Sequence, residues 1–93
     1  MIVGTLECTC RLPAATSLKD KRRVIKSVIE RLRARHNVAI AEVADQDVIQ
    51  LATIGIATVA NERRRVEQQL QHALNVLDAA HELEVVAVEQ WLG

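Results

Sequence analysis

Between Ile2 and Leu12 the chain alternates without a break. Ile2, Gly4, Leu6, Cys8, Cys10 and Leu12 fall on one side, and Val3, Thr5, Glu7, Thr9 and Arg11 on the other. A period of two over so long a run is the signature of a strand with one buried face. It commits the chain to a sheet whose apolar side something else must cover. Pro13 has no amide to donate and ends the strand.

The period then changes. Leu18, Ile25, Val28, Ile29 and Leu32 gather on one side of a 3.6-residue wheel, which predicts a helix from Leu18 to about Arg35. Ser17 and Asp20 form a variant capping box. The hydroxyl is placed to accept from the Asp20 amide, and the carboxylate suits the positive helix start. Arg33, Arg35 and His36 stand at the negative end. Asn37 to about Asp45 reads as a second strand, and the parity switch between Ile40 and Val43 predicts a bulge. Asp45, Gln46 and Asp47 make a polar turn. Leu51 to Ala60 is apolar on both faces, as a central strand is. Asn61 is the expected cap of a second helix with Glu62 in its first turn and a stripe of Val66, Leu70, Ala73, Leu74, Leu77 and Ala80. Glu84 to about Trp91 reads as a fourth strand.

The order is βαββαβ. The expected solution is an α+β, ferredoxin-like plait, a four-stranded antiparallel sheet with both helices on one face. Right-handed crossovers put the first and third strands in the centre. Residues 1–93 leave room for one domain and one core. That core is expected to hold Leu6, Ile25, Ile29, Leu32, Ile54, Ile56, Leu70, Leu74 and Leu77. Replacing Ile29 by Ala should then cost about 2–5 kcal/mol.

The run RLPAATSLKDKRRVIKSVIERLRARHNVAIAEVADQD resembles the YlxP-like family of small bacterial proteins, a family of unknown function. The resemblance rests on Leu12-Pro13, Ser17-Leu18-Lys19-Asp20-Lys21-Arg22, Val38, Ala41-Glu42-Val43 and Gln46-Asp47. It implies the same ferredoxin-like fold. Members are often encoded beside factors of transcription elongation, translation initiation and ribosome maturation, which implies an RNA- or ribosome-linked task. His36 stands where the family often has an aromatic residue. The resemblance carries no catalytic residue.

Twelve basic and twelve acidic side chains cancel, unlike a wholesale nucleic-acid binder. The cancellation hides an asymmetry. Residues 1–36 carry Arg11, Lys19, Lys21, Arg22, Arg23, Lys26, Arg31, Arg33 and Arg35 against three acids, while residues 37–93 carry only Arg63, Arg64 and Arg65 against nine. A basic first helix on a neutral protein is a local electrostatic footprint. Two readings of it compete. One is a solvated face laced with pairs such as Lys26–Glu30, and the other is a phosphate-binding surface. The start of the first helix should meet the Asp45–Asp47 turn. That places Lys19, Lys21 and Arg22 either in structural salt bridges or around an anion, and the nearby aspartates favour the former. At the other end Arg63, Arg64 and Arg65 should meet Arg31, Arg33 and Arg35, the better candidate for a phosphate-backbone contact.

Other chemistry is missing from the sequence. Cys8 and Cys10 lack the Cys-x-x-Cys spacing of metal and redox sites and read as buried hydrophobes. His36, His72 and His81 have no ligand spacing. There is no Gly-rich phosphate loop, nucleophile elbow or pair of catalytic carboxylates. The expectation is a non-enzymatic protein with no cofactor and no metal. RNA-recognition sheets stack bases on aromatics of the two central strands, and here those strands have none, Trp91 being the only aromatic residue. RNA contact would therefore be backbone-directed and salt-sensitive. The longest uncharged stretch, Val48–Asn61, is short of the roughly 20 apolar residues of a membrane span. No basic segment precedes an apolar run at the start, so a cytoplasmic protein without a membrane partner is expected.

Two functions follow as expectations. The first is an accessory factor contacting structured RNA or the ribosome through Lys19, Lys21, Arg22, Arg23, Lys26, Arg31, Arg33, Arg35 and Arg63–Arg65. The second is a self-associating or regulatory module that uses the open sheet face, with Val3, Thr5, Thr9, Ala39, Ala41, Thr53, Ala57 and Val59. These are small, largely apolar residues where an exposed face is usually polar. A homodimer is the expected form.

Overall fold

The computed structural model describes residues 1–93. Six elements follow one another: β1 (Ile2–Arg11), α1 (Leu18–Arg35), β2 (Ala39–Ala44), β3 (Leu51–Ala60), α2 (Arg63–Ala79) and β4 (Glu84–Leu92). The sheet is antiparallel in the order β2-β3-β1-β4, and both helices pack on one side of it. This is the ferredoxin-like plait. β1 and β3 pair without a break from Ile2↔Ala60 to Arg11↔Leu51, so the strand with the unbroken alternation and the strand apolar on both faces form the centre. Gly4, on the helix side of β1, lets α2 come close. A Cβ built there would overlap Val66 Cγ1 and lie 2.9 Å from Leu70 Cδ1.

α1 begins and ends where its sequence signals place it. The Ser17 hydroxyl accepts from the Asp20 amide at 3.1 Å, and the Thr16 amide and hydroxyl both donate to Asp20 Oδ2. α2 starts one residue later than expected. Glu62, not Asn61, is the N-cap, and no side chain caps the helix.

The core is continuous. Leu6, Cys8, Cys10 and Leu12 of the first segment meet Ala52, Ile54 and Ile56 of β3 and the helix residues Ile25, Val28, Leu32, Val66, Leu70, Ala73 and Leu77. Fully burying a side chain of the Leu or Ile class contributes about 1.5–3 kcal/mol. Two expected core residues stand at its margin instead. Ile29 and Leu74 are only partly buried, and Val28 takes the position that the wheel shared between itself and Ile29.

The predicted bulge exists, but its effect is the reverse of bringing Val43 inward. The register slips between Glu42 and Ala44, and Val43 is half exposed on the open face, where its methyl carbons lie over Gly55. A second slip interrupts β1·β4 between Thr9 and Cys10.

Candidate nucleic-acid interface

The topology sends α1 and α2 in opposite directions relative to their neighbouring strands, so the last turn of α1 and the first turn of α2 share one end of the molecule. The Thr58 hydroxyl fastens that end. It donates to the Asn37 carbonyl at 2.5 Å and is also hydrogen-bonded to the Gln69 amide. One hydroxyl proton serves one acceptor, so the self-consistent assignment turns the Gln69 NH2 toward Thr58. Asn37 follows α1 by two residues and Gln69 lies in the second turn of α2. The bond therefore holds the two basic turns in fixed relation.

Arg31, Arg33 and Arg35 on one side and Arg63, Arg64 and Arg65 on the other are all exposed. Two of the six have intramolecular partners. Arg63 Nε lies 3.2 Å from Glu67 Oε1, and Arg33 Nη2 donates to the Ile40 carbonyl at 3.2 Å. The three arginines of α2 occupy the positive end of the helix dipole, with no acid in the first turn. That placement works against the helix by about 0.3–1 kcal/mol per charge, and it concentrates positive potential on uncapped amides.

At the other end the structure separates residues that the sequence groups together. Lys19, Arg22, Arg23 and Lys26 are exposed, with Arg23 3.5 Å from Asp20 Oδ1. Lys21 is the opposite, with a side chain 1% exposed, so it is closed to a phosphate. Its ammonium donates to the carbonyls of Asp45 at 2.5 Å and Val48 at 2.7 Å and lies 2.8 Å from Glu42 Oε2. The expected tie between helix and turn is present, but it runs to backbone oxygens and to Glu42 rather than to the aspartates. The Asp45 carboxylate instead accepts from the Thr53 hydroxyl at 2.7 Å, holding Asp45 at a φ of 61°. Lys26 and Glu30 form no ion pair; the three that exist are Lys21–Glu42, Arg23–Asp20 and Arg63–Glu67.

One feature escapes the sequence reading. A groove runs between α1 and β2, floored by Ile25, Ile29 and Ile40 and flanked by Arg22, Lys26 and Arg33 with Glu30 and Glu42. Positions 22, 26 and 33 recur at helical spacing, so the signal was present in the sequence.

The eight small residues expected on the open face are there: Val3, Thr5 and Thr9 on β1, Thr53, Ala57 and Val59 on β3, and Ala39 and Ala41 on β2. Around Thr5, Ala41 and Ala57 they form a shallow apolar depression. Cys8 and Cys10 are fully buried and reduced, and burial above all pushes their thiols up to about 11 and about 12. Neither is a nucleophile at neutral pH. No three His, Cys, Asp or Glu side chains cluster as metal ligands would, and no helix is long and apolar enough to cross a membrane.

Known proteins agree with this architecture. A solved structure titled "Structure of Rv0793 from Mycobacterium tuberculosis" superimposes with a TM-score of 0.50 over 100% of this chain and 93% of that one, at 17% identity. It is similar in fold alone. The Bacillus subtilis (strain 168) protein described as "Uncharacterized protein YlxP" is 39% identical over 83 residues, 89% of this chain and 90% of its own. Residues 3–90 match the family described as "Protein of unknown function (DUF503)". With the match spanning nearly every strand and helix, the chain belongs to the DUF503 family, which the sequence resemblance to YlxP-like proteins anticipated.

Proposed function

We propose that this protein is a non-enzymatic accessory factor that contacts the phosphate backbone of structured RNA, free or in the ribosome, through the arginine-rich end of its helical layer. The observation that carries this reading is the convergence of the last turn of α1 and the uncapped, triply basic first turn of α2, fixed by the Thr58 link. A neutral chain that gathers six exposed arginines at one end, three of them where the helix dipole opposes them, has a site that an anionic partner stabilises. Exposed Arg22 and Lys26 extend the positive surface along α1. The central strands offer no aromatic platform, so the contact reads phosphate and shape, not base identity.

Filter binding of a structured ribosomal RNA fragment across a salt series tests the reading. The triple variant Arg63→Gln, Arg64→Gln, Arg65→Gln should bind more weakly. Its salt slope should be shallower by roughly 0.9 for each phosphate that the variant leaves unneutralised. It should also be no less stable than the wild type, because three charges leave the wrong end of a dipole. An unchanged salt slope removes the α2 arginines from the interface, and a wild type that fails to bind at low salt rejects the function.

A further inference from the structure

The two edges of the sheet are treated differently. On the β2 side the outward carbonyls are taken by the protein's own side chains. Arg33 Nη2 donates to Ile40 O at 3.2 Å, Gln46 Nε2 to Glu42 O at 3.3 Å, and beyond the end of β2 Asn37 Nδ2 reaches Val59 O at 3.2 Å. Outward carbonyls so occupied are not free to accept from a further strand, which makes this edge the less open of the two. On the β4 side no side-chain hydrogen bond or ion pair reaches Glu84–Leu92.

The phase of the β4 ladder shows which groups are free. Val3 and Gly93 exchange both backbone bonds at 2.9 Å. Antiparallel pairs alternate, so Trp91, Glu89 and Ala87 bond inward to Thr5, Glu7 and Thr9. The amides and carbonyls of Val88, Gln90 and Leu92 therefore point away from the sheet. The same strand carries three large exposed apolar side chains, Val86, Val88 and Trp91.

We infer that β4 is a self-pairing edge, and that two copies of this chain join through antiparallel β4–β4 pairing about a two-fold axis at Gln90 to give one continuous eight-stranded sheet. The occupant is a second copy because the strand complements itself in this register. Val88 lies opposite the partner's Leu92, both on the helix side, and the two Gln90 amides meet at the axis, each able to donate and accept. Glu89 lies opposite the partner's Trp91. Centring the pair on Glu89 instead would set two carboxylates directly face to face, which disfavours that register. Centring it on Val88 runs the outer pairs into the slip beside Val86. The register at Gln90 engages every outward residue of the regular run. Zero net charge adds no long-range repulsion between copies. This inference does not depend on RNA binding, and it places the contact between copies on the β4 edge and not on the open face of the sheet.

Gln90→Pro tests it. Proline removes the outward Gln90 amide but no bond to β1, because Gln90 is opposite Leu6 at a position without inward bonds. Light scattering at high micromolar concentration should give twice the chain mass for the wild type and half of that for Gln90→Pro, with unchanged circular dichroism. The double variant Thr5→Arg, Ala57→Arg, which places charge on the open face, should remain dimeric. If Gln90→Pro fails to fold, Val88→Lys supplies the same reading, since Val88 is already exposed to solvent. A wild type monomeric at that concentration overturns the inference. So does a dimer that survives Gln90→Pro or Val88→Lys, or one abolished by the open-face variant alone.

Discussion

Lys21 and Glu42 form the one buried ion pair of the molecule, Nζ to Oε2 at 2.8 Å, with the lysine side chain 1% and the glutamate side chain 17% exposed. Glu42 Oε2 accepts no hydrogen bond from any other group, so the ammonium is its sole compensation. The same ammonium serves the Asp45 and Val48 carbonyls, joining α1 to the β2–β3 turn. Removing one partner of such a pair leaves a buried charge and unpaired carbonyls. Lys21→Met should therefore destabilise by about 3–5 kcal/mol in urea unfolding. Lys19→Met, on the exposed flank, should stay within about 0.5 kcal/mol. A Lys21→Met, Glu42→Leu double variant should recover part of the loss. Strict additivity of the two single changes would show that the pair is not coupled.

Gly4 sets the distance between β1 and α2. Gly4→Ala puts a methyl group into Val66, Leu70 and Leu92, and overpacking of this kind costs about 1–3 kcal/mol. Val66→Ala in the same chain should relieve much of it by opening space for that methyl. Gly55→Ala makes the comparison. Its Cβ would come 2.7 Å from Val43 Cγ1, but Val43 is half exposed and free to give way. Its cost should be clearly smaller. Equal losses at the two glycines, measured by thermal unfolding, would contradict the packing difference.

The fold was legible because its largest signals are local. The unbroken alternation of β1, the Ser17–Asp20 box and the two-faced apolar run of β3 each determine one element with little help from the rest. What was not legible depends on distant neighbours. Lys21 falls on the helical spacing of Ile25, Val28 and Leu32, so its place on the core face was written in the sequence. Its acceptors, the Asp45 and Val48 carbonyls, arise only when the turn folds over it. Charge alone therefore grouped it with the exposed Lys19 and Arg22. Ile29 failed for the converse reason. A wheel counts apolar residues without knowing that β2, the strand on its flank, is six residues long and an edge.

That difference is measurable. Ile29→Ala should cost only about 1–2 kcal/mol, below the range for fully buried sites, while Leu32→Ala, at 0% exposure, should cost about 2–5 kcal/mol. Chemical denaturation of the two variants decides it. A larger loss at Ile29 than at Leu32 would mean that α1 is rotated relative to its position here.

Asp20 makes the stability of the α1 start depend on pH. The Thr16 hydroxyl and amide, both donating to Oδ2, hold its carboxyl below the ordinary 3.8, with Arg23 and the Ser17 hydroxyl acting in the same direction. As pH falls, the unfolded chain binds this proton first. The contribution of Asp20 is thus complete above 3.8 and disappears as pH drops through its lower folded value. Asp20→Asn should be less stable than the wild type at neutral pH, and the gap should close in acid. Urea midpoints compared from pH 7 downward test this, and a gap constant with pH would assign Asp20 no electrostatic part in the cap.

Cys8 and Cys10 are fully buried on the helix side of β1, and Cys10 Sγ lies 3.7 Å from the Cys8 carbonyl as its weak donor. With thiols pushed up to about 11 and about 12, the thiolate fraction at pH 8 is far below that of a free cysteine near 8.5. The sulfurs are also out of reach until β1 leaves the core. A disulfide-exchange reagent should therefore find no reactive thiol in the native protein at pH 8, and both in urea. At low denaturant the labelling rate should follow the opening of the β1–β3 centre, so destabilising Gly4→Ala should speed it by the factor that its loss of stability predicts. Labelling of the native wild type at the rate of a free thiol would place β1 at the surface and contradict the sheet order.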